Sequence, residues 1–210
     1  MKNRDIIITT FFIIASLFVY AIFPAKNDFQ QIVILLFFFV LFPLIFNQLF
    51  LKRELAFYGL RLGAWKMGLT WSLISLALVG FIFLILAKYF NFLGNYNVPV
   101  FVVNNLKGFL FYEFIMVLFF VIIYEFYFRG FVLAIYGEVF RDWAILIQAG
   151  LFLILFLSIK GSTLNTFLPY LIFTPLAGWI TLKSRSLIYS LIAQFLIILV
   201  IDIVVVRMIS

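Results

Sequence analysis

The sequence predicts an all-α polytopic membrane helix bundle of about seven, or eight, transmembrane helices. Three observations carry that prediction. Hydrophobic residues make up 67% of the 210-residue chain and charged residues only 11%, against roughly 45–50% apolar content in soluble domains. Mean hydropathy is +1.27. The apolar residues also collect in runs close to the roughly 17–25 residues that a crossing helix needs.

The first run, Ile6–Phe23, follows the basic residues Lys2 and Arg4 and ends at the turn Pro24-Ala25-Lys26-Asn27-Asp28. No small-x-small cleavage site closes it, so it reads as a retained helix rather than a signal peptide. Ile32–Phe50 follows, with Pro43 and Asn47 as kinking residues. Residues 52–66 mix basic and apolar side chains as an interfacial segment does. The remaining spans are Gly68–Leu86, Phe109–Val132, Trp143–Ser158, Thr166–Leu182 and Leu187–Met208, with Pro169 and Pro175 inside the sixth. Neighbouring groups can re-satisfy carbonyls that such prolines free. Trp65, Tyr58, Tyr89 and Trp143 read as interfacial anchors. No linker or low-complexity tract interrupts the spans, which predicts one integral membrane domain over residues 1–210.

Basic residues orient the bundle. With the N-terminus inside, Lys2, Arg4, Lys52, Arg53, Arg61, Lys66, Arg141, Lys183 and Arg185 fall on the cytoplasmic side, and Lys26, Lys88, Lys107, Lys160 and Arg207 on the other. That asymmetry predicts N-in, C-out. The expected setting is the plasma membrane of a prokaryote. The net charge of +7 then needs only anionic membrane lipid as its partner. Nucleic acid is not expected, because the 31 Phe recur inside apolar runs without a basic groove.

The chain has no Cys and no His. Thiol chemistry and every His-dependent mechanism are therefore excluded, and no metal or other cofactor is expected. The informative segment is Tyr124-Glu125-Phe126-Tyr127-Phe128-Arg129-Gly130, which sets a carboxylate and a guanidinium four residues apart in apolar surroundings. At helical pitch the two share a face and can pair, acid before base. Ionisable groups at membrane depth face a protein interior or a wet cavity and mark a candidate site. A salt bridge that only fixes helix packing is the competing reading.

The segment Tyr124–Phe131 resembles the Glu-Glu-x-x-Phe-Arg-Gly-Phe motif of the CPBP family, the CAAX-protease and bacteriocin-processing (Abi) intramembrane endopeptidases. Tyr58-Gly59-Leu60-Arg61 is similar to the family's Leu-Gly-Leu signature. Ile145 to Lys160 resembles the helix with its Phe-x-x-x-His motif, and Thr181 to Gln194 the run that opens its third motif. The resemblance spans a core of about residues 58–198. It implies a CAAX-protease-like bundle in which glutamate activates water while histidines and asparagine orient it or hold a metal.

The catalytic positions depart from that pattern. Tyr124 replaces the first acid, Lys160 and Gln194 replace the histidines, and Ile198 replaces the asparagine. Glu125 and Arg129 remain. Pairing with Arg129 favours the charged carboxylate and makes Glu125 a poor general base. The expected arrangement is a charge cluster with Glu125 between Arg129 and Lys160, hydrogen-bonded by Gln194 and Tyr124. Lys160 also reads as a lysine snorkelling at a helix end, and Gln194 as interhelical glue. Asp202 is expected to be solvated or paired with Arg207, and Glu113 to rest on its helix N-terminus.

The function expected is that of a catalytically degenerate, hydrolase-like pseudoprotease that binds or regulates another membrane protein or a lipid-linked peptide. The alternative is an active intramembrane endopeptidase cleaving prenylated or leader-type peptides with Glu125. A small transporter or channel ranks third, because few polar side chains could line a path.

Overall fold

The computed structural model describes residues 3–24, 27–103, 105–158 and 164–209. Among these, seven long helices account for the bundle and no strand occurs. They are α1 (Asn3–Ile22), α2 (residues 28–51), α3 (Trp65–Phe90), α4 (residues 106–140), α5 (Ala144–Ser158), α6 (Leu164–Ser184) and α7 (Ile188–Ile209). Five helical runs among the described residues have the length and apolarity of a crossing: Asp5–Ile22, Phe29–Leu51, Trp65–Phe90, Leu106–Ser158 and Ile188–Ile209. The fourth breaks into α4 and α5 at Arg141, whose φ is 51°. The chain is an integral membrane protein.

Local chemistry sets the helix ends. Asn27 caps α2 by accepting from the Gln30 N–H at 2.9 Å, and Asn105 caps α4 through Gly108 N at 3.0 Å. Each satisfies an orphan N–H of the first turn. Left-handed Lys52 (φ 53°) and Asn91 (φ 48°) end α2 and α3. Both Pro169 and Pro175 sit inside α6 without ending it. There the Thr174 hydroxyl donates to the Tyr170 carbonyl at 2.6 Å. α4 runs eight residues past the expected end at Val132, since a helix needs backbone hydrogen bonds rather than unbroken apolarity to continue.

Among the described residues the helices pack around two large cores and a small third one of Val117, Val121 and Ile198. Aromatic residues of α1, α2, α4 and α5 fill the first, with Phe12 stacked on Phe46 at 4.1 Å and Phe39 on Tyr127 at 4.4 Å. α3, α6 and α7 enclose the second around Val79, Phe173, Ala177 and Ile180. α6 is central, touching α3, α5 and α7. Phe11, Phe18, Phe29 and Phe81 are largely exposed on the outer face. That placement suits contact with lipid rather than a binding surface for polar ligands.

The segment between α2 and α3 folds back onto the α6–α7 turn. Gly59 O accepts from Leu187 N at 3.0 Å and Ser184 O from Ala64 N at 2.8 Å. A Cβ on Gly63, whose φ is 56°, would sit 2.1 Å from Ser184 O. Only glycine fits there. Trp65, Tyr89 and Trp143 are exposed as anchors should be. Tyr58 is not: it is buried and donates to Asn47 Oδ1 at 2.5 Å. The Asn47 side chain also holds Arg53 through its backbone N–H and carbonyl, so this intramembrane amide fastens the loop.

Candidate functional site

Helix α4 widens to i→i+5 hydrogen bonding over Glu125–Val132, the stretch carrying the acid, the arginine and the glycine. Such wide turns inside α-helices are frequent at functional sites. Glu125 and Arg129 are both buried, and Arg129 Nε stands 3.4 Å from Glu125 Oε1. The expected ion pair exists within one helix. Gly130 lies where a Cβ would meet Tyr58 O and Leu187 Cδ1, both at 3.2 Å. This close approach seats the loop and the start of α7 against the motif.

The partners of the pair differ from those expected. Ser190 donates to Glu125 Oε2 at 2.6 Å and is itself 2.9 Å from the Thr181 hydroxyl. Arg129 Nη2 donates to Thr174 Oγ1 at 2.8 Å, and the guanidinium lies 5.5 Å from the centre of the Phe152 ring. Gln148 Nε2 donates to Thr174 O at 3.0 Å, tying α5 to α6 beside the arginine. None of Ser190, Thr181, Thr174 or Gln148 was expected at the site. A polar side chain inside an apolar span is the signal that points to them, most clearly for Gln148 in α5.

The substituted motif positions fall in distinct surroundings. Tyr124 packs on Phe39, Phe128 and Phe152 and lies within hydrogen-bonding reach of Tyr20. It lines a cavity of about 220 Å³ with Tyr112 and Tyr170. Gln194 is fully buried, and neither amide atom has a hydrogen-bond partner among the described residues. Ile198 packs against Val117 and Val121. Gln194 and Tyr124 therefore do not supply the hydrogen bonds expected at Glu125. Lys160 lies outside the described residues. Phe156, the aromatic of the second motif, packs against Phe167 with tilted rings 4.6 Å apart.

The α4–α7 seam has a regular register. Glu125 meets Ser190, Val117 and Val121 meet Ile198, and the Glu113 and Asp202 carboxyls are neighbours. Gln194 stands by that register at the level of Val121. The Glu113–Asp202 rung corrects two expectations. Asp202 is 1% exposed rather than solvated or paired with Arg207, and Glu113 is fully buried in a wide turn. Among the described residues no ion pair reaches either acid. None of their four oxygens has a well-formed hydrogen bond. Tyr96, in the loop before α4, lies beside Asp202; burial first, then the nearby carboxylate, push its phenol above the ordinary range.

At the other end of the bundle a cavity of about 810 Å³ opens between the α2–α3 loop, α4 and the α6–α7 turn, and Arg129 lines it. Burial raises the Tyr58 phenol on its wall above the ordinary range, with Arg53 opposing.

A divalent metal does not fit the Glu125 site. Ser190 and Arg129 hold the carboxylate, and the guanidinium repels a cation. No three Asp, Glu, His or Cys side chains gather among the described residues, whereas a catalytic zinc takes three protein ligands.

Residues 105–200 match the family model for type II CAAX prenyl endopeptidases, Rce1-like. The match covers α4 to most of α7 and agrees with the resemblance carried by the motifs. No curated protein and no solved structure matches the chain.

Proposed function

We propose that this CAAX-protease-like membrane protein is a protease scaffold without hydrolytic function, a pseudoenzyme that binds or regulates other membrane proteins or lipid-linked peptides. One observation carries the reading. Glu125 has no exposed surface, one oxygen is engaged by Ser190 and the other faces Arg129, and Ile198 fills the family's asparagine position among valines. A general base must reach its proton directly or through one water. A carboxylate held against a guanidinium and sealed by side chains serves as an anchor between helices instead.

The single membrane domain in this reading has its N-terminus and basic end in the cytoplasm of a prokaryote, supported by the excess of Lys and Arg there. A second reading, an endopeptidase using Glu125, draws on one feature. The basic cavity reaches Thr181, which is one hydrogen bond from Ser190 and two from Glu125.

The deciding experiment incubates the purified chain in proteoliposomes with a prenylated CAAX peptide and a leader-type peptide. Both should remain intact. Any wild-type cleavage that Glu125→Gln abolishes while folding is unchanged overturns the proposal in favour of the endopeptidase. Restoring activity should need at least Tyr124→Glu, Lys160→His, Gln194→His and Ile198→Asn together. General acid–base help and an oxyanion donor supply about 10²–10⁴-fold and about 10²–10³-fold. Elemental analysis of chelator-free protein should find no stoichiometric zinc.

A further inference from the structure

We infer that the basic cavity binds the phosphate of an anionic phospholipid headgroup. Five cations line it, Lys52, Arg53, Arg61, Arg129 and Arg185, against two acids, Glu54 and Glu138. Glu138 pairs with Arg53 at 3.1 Å. Among the described residues Lys52, Arg61 and Arg185 have no acidic partner. The excess charge on the cavity wall is therefore positive.

A scatter of interfacial lysines would carry the same charge without being a site. Two features set this cavity apart. Its walls are prebuilt: Asn47 holds Arg53, Arg61 Nε donates to Arg185 O at 3.0 Å, and Gly59 O accepts from Leu187 N. Binding there forfeits little ordering entropy. Its inner wall also includes Arg129, 1% exposed, whose Nη1 has no hydrogen-bond partner among the described residues. A buried guanidinium with a spare donor suits a phosphate oxygen, which takes short charge-assisted hydrogen bonds.

The surroundings favour a lipid over a soluble phosphate. The loop that supplies Arg61 also exposes Leu60 and Leu62, and Trp65 is exposed at the start of α3. Apolar and aromatic side chains at such a position enter the headgroup and upper acyl region. A phosphate in the cavity would then have its acyl chains beside that apolar rim. Basic pockets between transmembrane helices hold anionic headgroups in this way. The inference does not depend on whether Glu125 cleaves peptides.

The test measures thermal unfolding and ligand retention of the purified full chain in neutral detergent. The probes are short-chain phosphatidylglycerol, short-chain phosphatidylcholine and inorganic phosphate. Phosphatidylglycerol should raise the unfolding temperature and co-purify, whereas phosphatidylcholine and inorganic phosphate should do neither. Arg61→Gln with Arg185→Gln should weaken retention at least about tenfold, the equivalent of one lost charge-assisted hydrogen bond. Lys52→Gln should weaken it without touching the Arg61–Arg185 contact, and so reads the site even if the double variant misfolds. Lys66→Gln, which removes a nearby cation outside the cavity, should change nothing. Equal protection by phosphatidylcholine, protection by inorganic phosphate without lipid retention, or full retention in the Lys52→Gln variant would overturn the inference.

Discussion

The α4–α7 seam carries two acidic rungs that the bundle treats in opposite ways. At one, Glu125 faces a guanidinium and accepts a hydrogen bond from the Ser190 hydroxyl at 2.6 Å. At the other, Glu113 faces a second acid, Asp202, and no basic side chain pairs with either among the described residues. The rungs lie twelve residues apart along α4, about 18 Å at helical rise, with Val117, Val121 and Ile198 packed between them. Burial is the same at both. Burial therefore does not tell whether a charge supports the fold, because the sign of its neighbour decides that.

The largest expected effect breaks the unlike pair. Glu125→Ala strands Arg129 and should cost about 3–5 kcal/mol in detergent unfolding, with a much smaller loss when Arg129→Met accompanies Glu125→Leu. Ser190→Ala removes a hydrogen bond to a charged group and should cost about 1.5–3 kcal/mol. The like pair should behave otherwise: Glu113→Gln or Asp202→Asn replaces one of two crowded carboxyls without stranding an opposite charge, and should cost less than about 1 kcal/mol or stabilise. A penalty there equal to that of Glu125→Ala would erase the contrast. Smallest is Gln194→Leu, expected near zero or stabilising, because neither atom of the buried amide has a partner to lose.

Much of this was legible in the sequence, for identifiable reasons. Seven helices follow from apolar run length, and the Glu125–Arg129 pair follows from i,i+4 spacing inside an apolar run. Partners from other helices were not legible. Ser190 and Thr174 are hydroxyls that a linear reading passes over, and only the α4–α7 and α4–α6 packing brings them to the ion pair. Asp202 misled for a similar reason. Its closeness to the end of the last helix suggested solvent, yet the register of α7 on α4 turns it inward onto Glu113. Tyr58 looked like an interfacial anchor until Asn47, eleven residues earlier, took its hydroxyl into the protein.

That Glu125 anchors the bundle rather than performs chemistry is tested most directly by a double-mutant cycle read for stability and cleavage on the same samples. Wild type, Glu125→Leu, Arg129→Met and the double variant would be unfolded in detergent and assayed with the prenylated peptide in lipid. Both singles should lose several kcal/mol, the double should recover most of that loss, and all four should leave the peptide intact. Wild-type cleavage that disappears in the double variant at unchanged stability would contradict the account.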